Sequence, residues 1–587
     1  MSTYVPQPTA KQLGHTLEES RILGLPRWSW DSVPDYTSIT RLPGGTFSFR
    51  TVQNAAFHQM LETQGLVAEL TMGDGKGLIC HAGPELMRRY FPGGCERPLV
   101  LVPSKLKGTY WREQAKYAKH FALHPNQQMY SYHDLSTGRG QGLLERIKPD
   151  WIFCDEAAAL RNFTSARTKR FFGYLREHPE VKVVFLSGTM TRRSILDYAH
   201  FVKYALGERS FLPVGKEEVD TWSVVLDENG EPAWEDLERF RRMGVIGNKA
   251  MRRERATEVE KVRTWFSELR KTSIGSIVSP ATLDVDAALE WVERKVTVPH
   301  NVQQAIDDLE GSWTRPDGEE LMDIFTMRQA LRQTGRGFHY YWSWPTDPDG
   351  FPIKDEEWLE KRALYHRAVR TVLGDENPRW DSPMWVIKRL DELATVHPIM
   401  KRSYDGWLTV KHRPTPPTHT NWISSYMLDD ACNWAIERLQ AKENGIIWFK
   451  HRCVGKALAE RGIPTFMESG KDIDEKGKDG PIVAASIAMH GEGKNLQYAY
   501  NNCLYLETPE TTDLLEQSVA RIHRSGQPED LVRAYYYAHT QVDRDDFNKF
   551  HDETAWQEAH TGKPTRVQRG DWGTITGPGG WRLTPPT

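Results

Sequence analysis

The sequence is poor in cysteine and has no long apolar run. Its six cysteines, Cys80, Cys95, Cys154, Cys432, Cys453 and Cys503, are scattered and none forms a C-x-x-C pair. That argues against a zinc ribbon and a disulfide framework, and fits a reducing intracellular compartment, a cytoplasm or a host cytoplasm. No apolar run nears the ~20 residues that a bilayer-spanning helix needs. The opening MSTYVPQPTAKQ lacks the apolar core of a secretory signal. Neither sign of charge dominates, since 76 Lys and Arg face 79 Asp and Glu for a net −3. A wholly basic nucleic-acid coat is excluded, though a local basic groove is not. Fixed-period repeats and long low-complexity tracts are also missing.

What is present is an ordinary globular composition, 39% hydrophobic and 26% charged, over 587 residues. That length predicts two or more packed units. Two stretches alternate short apolar runs with helical patterns. The first holds GLVAEL (65–70), PLVLVPS (98–104), DWIFCDE (150–156) and VKVVFLSGT (181–189). The second holds GIIWFK (445–450), PIVAAS (481–486), NNCLYLE (501–507) and LVRAYYYA (531–538). Each run ends in small or polar residues, as buried parallel strands with chemistry at their carboxyl ends do. The expected architecture is α/β, with units at 41–208 and 426–555, an N-terminal extension at 1–40 and a flexible tail at 556–587. Between the units, 209–425 reads as a charged, Trp-rich, largely helical insertion broken at WPTDPDGFP and RPTPPTH. The 21 tryptophans crowd this middle portion, and no motif accounts for them.

The first unit opens with a strand, a glycine-rich turn and a helix, GLVAELTMGDGKGLIC. Gly73, Gly75 and Gly77 let backbone N–H groups approach a polyphosphate, and Lys76 places an ammonium on its outer phosphates. The same turn also occurs without a ligand. Gly77 brings no hydroxyl for Mg²⁺, and Leu70 stands where the strict P-loop pattern has its first glycine. Asp155 and Glu156 close an apolar strand. One suits a magnesium shell and the other an attacking water, although an acidic helix cap has the same appearance. Ser187 and Thr189 end the next strand. In the second unit, QSVARIHRSGQ (517–527) sets Arg521 and Arg524 one helical turn apart, either as a solvated basic face or as two forks for phosphate oxygens.

In order and spacing these motifs resemble superfamily 2 helicases, specifically the Snf-type, chromatin-remodeller-like ATPases. The family pattern runs R-x-x-Q, D-E-M-G-x-G-K-T, D-E-A-x, L-S/T-G-T, L-R-R-T-K, G-G-x-G-L-N-L and Q-x-x-x-R-x-H-R-x-G-Q. Here stand RTVQ (50–53), TMGDGKG, DEAAALRN, LSGTM, LRKTS (269–273), MHGEGKNLQ (489–497) and QSVARIHRSGQ. The last matches at Gln517, Arg521, His523, Arg524, Gly526 and Gln527, and the resemblance spans about 41–545. Departures are Gly77 for Thr, one extra residue before the P-loop, Ala158 for His or Gln, and Lys494 for Leu. The short length, without appended reader domains, is similar to phage or prokaryotic members.

The resemblance implies two RecA-like lobes, ATP and Mg²⁺ as cofactors, and ATP-driven translocation on duplex or branched DNA. It puts Gln53 on the adenine edge, Lys76 on the β- and γ-phosphates, Asp155 on Mg²⁺ and Glu156 on the water. Gln517 joins Gln53, Gly73, Gly75 and Gly77 among the nucleotide contacts, and Arg521 and Arg524 reach the γ-phosphate. Ser104, Lys105 and Lys107, after the second strand, suit a phosphate backbone. MYSYHDL (129–135), with Ser131 and Tyr132, resembles the family's strand-tracking segment, and Gly491, Gly493, Lys494 and Asn495 permit close backbone approach. Residues 239–271 hold eleven Lys and Arg against four Glu, a local +7 that is either a duplex-binding arm or a solvated helix face. Neither a membrane partner nor a metal beyond the nucleotide's is expected. The alternative reading is a nucleotide-gated DNA-binding module that hydrolyses weakly because position 77 has no hydroxyl. A helicase–nuclease ranks last, because no cluster has nuclease spacing.

Overall fold

Two six-stranded sheets, each parallel throughout, give the chain its α/β architecture. A computed structural model describes residues 16–572 except 72, 138, 139, 141, 164, 248–254, 280–284, 316–320, 322, 323, 350–352, 375–382, 469–472 and 492. The chain divides into two units. Unit 1 comprises Met1–Ala281, Arg367–Lys401 and Trp556–Lys563, and unit 2 comprises Thr282–His366, Arg402–Ala555 and Pro564–Thr587.

Unit 1 contains β1 (Leu66–Glu69), β2 (Pro98–Val102), β3 (Gln128–Ser131), β4 (Trp151–Asp155), β5 (Lys182–Ser187) and β6 (Ser276–Val278), in the order β3-β2-β4-β5-β1-β6. Alternate residues of each strand enter different cores, because side chains in a strand point to opposite faces. Leu66, Ala68, Val100, Phe153, Val184 and Leu186 pack with the helices Thr51–Thr63 and Lys76–Tyr90. Val67, Leu99, Ile152, Val183 and Phe185 pack with the helices Ala166–Glu177 and Ala199–Leu206. Burial on both faces is why these strands read as unbroken apolar runs. β5 pairs with both β1 and β4, so the carboxyl ends of all three adjoin at one sheet edge.

Unit 2 contains β7 (Ala288–Glu293), β8 (Phe338–Trp342), β9 (Thr418–Trp422), β10 (Gly445–Phe449), β11 (Thr465–Phe466), β12 (Ile482–Ser486), β13 (Asn502–Tyr505) and β14 (Leu531–Tyr536). Its main sheet runs β11-β12-β10-β13-β14-β7, while β8 and β9 form an antiparallel ribbon. Part of the tryptophan excess gathers beside this ribbon. Trp342, Trp344, Trp358 and Trp407 follow one another with ring centroids 5.8–6.3 Å apart, and Arg362 lies over two of them.

The segment 209–425 is largely helical, as its pattern suggests, and it also carries strands. It supplies β6 to the first sheet and β7 to the second. β6 is three residues flanked by serines, too short to carry a period, and the charges in ALEWVE mask β7. The tail differs from the expectation. The helix Gln541–Thr561 runs into its first residues, and Trp572 stacks on Trp291 with centroids 4.6 Å apart and planes 3° from parallel. Residues 573–587 lie outside the described part.

The basic stretch 239–271 is largely spent on internal contacts. Arg241 packs over Trp234, Arg263 donates to the carbonyls of Val225 and Asp227, Arg242 pairs with Glu19, and Lys261 with Glu258. Lys249, Arg252 and Arg253 lie outside the described residues. Arg270, in LRKTS, is fully buried; its Nη2 sits 2.6 Å from Glu69 Oε2 at the end of β1, and its guanidinium lies over the Tyr198 ring. Among the described residues, no helix is long and apolar enough to cross a membrane.

The Arg270–Glu69 pair sets up a stability test. Arg270→Ala leaves a buried carboxylate unpaired and is expected to cost about 3–5 kcal/mol in urea unfolding. Glu69→Gln combined with Arg270→Met removes both charges and is expected to recover most of that loss.

Candidate functional site

The glycine turn after β1 fixes the first element of the site. Gly73 and Gly75 have φ of +101° and +78°, the left-handed region that glycine enters without strain. A Cβ on Gly75 would also lie 2.3 Å from Gln53 Nε2. Gln53 is buried against this turn. Its Nε2 donates to Asp74 O at 2.9 Å, and its Oε1 accepts from Arg50 N at 2.9 Å. Arg50 Nη1 donates to Gly73 O at 2.6 Å. Both ends of the Gln53 amide are thus engaged, so reading an adenine would require exchanging these bonds. From the end of β6, Ser279 accepts from Thr71 N and donates to the Asp74 carboxylate.

Lys76 starts the following helix with its side chain nine-tenths buried. Its Nζ lies 3.2 Å from Glu156 Oε1 and 3.5 Å from Leu70 O. Glu156 Oε2 accepts from Ser187 Oγ and Gly188 N, each at 3.4 Å. Glu156 itself has φ +52°, a conformation that costs a non-glycine residue about 1–2 kcal/mol and that aims this carboxylate. Thr189 Oγ1 is enclosed with no hydrogen-bond partner among the described residues. Lys563, in the segment expected to be a tail, donates from Nζ to Gly188 O at 2.7 Å.

Asp155 ends β4 and is 8% exposed. Its Oδ1 accepts from Glu156 N at 3.1 Å. Burial first, then the neighbouring Glu156 and Glu113 charges, raise its proton affinity well above the usual carboxylate range, with Lys76 acting against them. Glu113, on the helix Lys107–Tyr117, is also raised by burial. Lys76 therefore stands against the Glu156 and Asp155 carboxylates, beneath a turn and a helix N-terminus that favour anions, while Glu113 acts on Asp155 and is itself offset by Arg112 and Lys116. This charge pattern suits a divalent cation together with a polyphosphate better than either alone. Among the described residues, no group of three or more His, Cys, Asp or Glu is arranged to hold a metal unaided.

The expected strand contacts of unit 1 divide. Ser104 and Lys105 are exposed, and Lys107 is paired with Asp134 at 3.1 Å. Ser131 and Tyr132 are interior. Ser131 caps the helix Tyr132–Ser136, and the Tyr132 hydroxyl donates to Asp155 O at 2.8 Å. Alternation between strand and helix at that point turns both inward, where they support the carboxylate.

In unit 2 the helix Thr512–Val519 stops before the arginines, so Arg521 and Arg524 lie in the turns that follow. Arg521 is buried and gathers carbonyls, with Nε 3.2 Å from Gly491 O and Gln517 O and Nη1 3.2 Å from Lys494 O. Arg524 is half-exposed, with Nη1 2.8 Å from Asn495 Oδ1. Gln517 Oε1 is enclosed with no partner among the described residues. His523 donates from Nε2 to Ala287 O at 2.9 Å, and burial lowers its pKa to about 4. Gly491, Gly493, Lys494 and Asn495 thus form the loop on which both arginines rest.

No protein-family model matches the chain, and no curated protein matches it. Among solved structures it is similar to the Sulfolobus solfataricus SWI2/SNF2 ATPase core in complex with double-stranded DNA. The two share 13% identity over 88% of this chain and 97% of that one, with a TM-score of 0.28.

Asp155 links the site to stability. Because folding raises its proton affinity, the folded state binds the extra proton and loses stability as pH rises from the unfolded carboxylate value through the raised one. Asp155→Asn keeps the acceptor for Glu156 N and removes the buried charge. In metal-free buffer the variant is expected to melt above the parent at about pH 8.5, by roughly 2–4 °C for each kcal/mol released, and the gap is expected to close near about pH 4. A variant that melts lower at the higher pH contradicts the assignment.

Proposed function

We propose that the chain is an ATP hydrolase that acts on DNA, a translocase coupling turnover to movement on a duplex. The observation that carries the reading is the Lys76–Glu156 pair, 3.2 Å apart under a glycine turn, with the more deeply enclosed Asp155 just before Glu156 in sequence. Lys76 is the cation for the outer phosphates, and the turn N–H groups hold the polyphosphate. Asp155 would help hold the nucleotide's Mg²⁺, which would offset charge on the phosphates. Glu156 orients the attacking water and accepts its proton, with Ser187 and Gly188 steadying its second oxygen. Arg521 and Arg524 are the proposed guanidinium donors to the γ-phosphate. Of the two, the carbonyl-bound Arg521 is better suited to shape the loop and Arg524 to meet a ligand. Exposed Ser104 and Lys105, with the 491–495 loop, are the proposed backbone contacts on DNA, a sequence-independent mode suited to a moving motor.

ATP turnover is to be measured with and without duplex DNA for the parent, Lys76→Ala and Arg524→Ala. Duplex is expected to stimulate the parent about tenfold or more. Lys76→Ala is expected to abolish turnover, and Arg524→Ala to lower it on the order of 10³-fold. Nucleotide binding without DNA-stimulated turnover would favour the gated binding module instead. Turnover indifferent to DNA and to both substitutions contradicts the proposal.

A further inference from the structure

Position 77 is the place where a P-loop ordinarily offers a hydroxyl to the nucleotide's metal, and here it is glycine. The space is not empty. A Cβ built on Gly77 would lie 2.9 Å from Glu113 Oε2, so the carboxylate fills the volume that a serine or threonine side chain at 77 would need. The helix Lys107–Tyr117 fixes that placement. Tyr110, Glu113 and Tyr117 fall three and four residues apart on one face. The two tyrosines hold His81 of the P-loop helix, with ring centroids 3.9 and 5.4 Å from it.

Glu113 takes no hydrogen bond or ion pair among the described residues. Next to it, Asp155 is more than nine-tenths buried, and its Oδ2 likewise has no donor among the described residues. Burial disfavours the charged form of both carboxylates, and a divalent ion held by the two would offset that cost more fully than the nearby lysine and arginine charges do. A carboxylate is also a stronger ligand for a hard divalent ion than the hydroxyl it displaces.

We propose that Glu113 replaces the missing P-loop hydroxyl, so that Glu113 and Asp155 together hold the divalent ion of the bound nucleotide. This rests on the reading of unit 1 as a nucleotide site. A side chain at position 77 would meet the end of Glu113, which would have to turn away to admit it.

The test uses the full chain, with Mn²⁺ binding followed by electron paramagnetic resonance in the presence of a non-hydrolysable ATP analogue. Binding of a fluorescent ATP analogue in EDTA is read alongside it. Glu113→Gln is expected to keep metal-free nucleotide affinity within about twofold and to weaken Mn²⁺ binding about tenfold or more. Gly77→Ser alone is expected to weaken Mn²⁺ binding because the serine meets Glu113. Gly77→Ser with Glu113→Ala restores a hydroxyl with room for it and is expected to recover the affinity to within about threefold. Unchanged Mn²⁺ affinity in Glu113→Gln, or tighter binding in Gly77→Ser with Glu113 present, overturns the inference alone. A parent chain that binds no ATP analogue overturns the nucleotide reading and this inference with it.

Discussion

The ion pair between Lys76 and Glu156 is the constraint around which the rest of unit 1 is arranged. One buried ammonium faces the partly exposed Glu156 and the buried Asp155, whose charge Glu113 also acts on. The glycine turn places the lysine, the left-handed backbone at Glu156 turns its carboxylate towards it, and Ser187 and Gly188 hold the other oxygen. A polyphosphate would have to compete with Glu156 for the ammonium. Winning that competition frees the carboxylate to accept a proton. Under the proposed function, the same contact that neutralises Glu156 without nucleotide would release it for the attacking water once nucleotide is bound.

The groups behind this pair come from distant parts of the chain. β6 contributes Ser279 to the turn, Tyr132 bonds the backbone of Asp155, and Arg270 anchors Glu69 at the end of β1. Lys563, near the C-terminal end of unit 1, bonds the carbonyl of Gly188. In unit 2 the two arginines are not equivalent. Arg521 is enclosed by backbone carbonyls, whereas Arg524 is half-exposed on an asparagine side chain. A burial difference of this kind separates a residue that builds a loop from one that can meet a ligand.

Much of the fold was legible in the sequence, because strands buried on both faces leave unbroken apolar runs. β1, β2, β4, β5, β10, β12, β13 and β14 all lie within such runs. β3 carries too few apolar residues, β6 is too short, and β7 is too charged to show a period. The glycine turn, Lys76 and the Asp155–Glu156 pair were legible through spacing within short motifs. Ser131 and Tyr132, expected in a strand-tracking segment, are interior, because a motif gives order along the chain and not the direction in which a side chain turns. The contacts of Glu113 with position 77, Ser279 with Asp74 and Lys563 with Gly188 join segments far apart in sequence, where no spacing rule reaches. The one available signal for Glu113 was its place between Tyr110 and Tyr117 on a single helix face.

The most direct test of the central claim is ATP affinity and turnover in Glu156→Gln. If Glu156 holds Lys76 in the nucleotide-free protein and acts on the water afterwards, removing its charge releases the lysine and disables the chemistry. The expected result is ATP binding about tenfold tighter, roughly 1.4 kcal/mol, with turnover lost. A variant that binds ATP no more tightly than the parent and still hydrolyses it at the parent's rate would contradict the account.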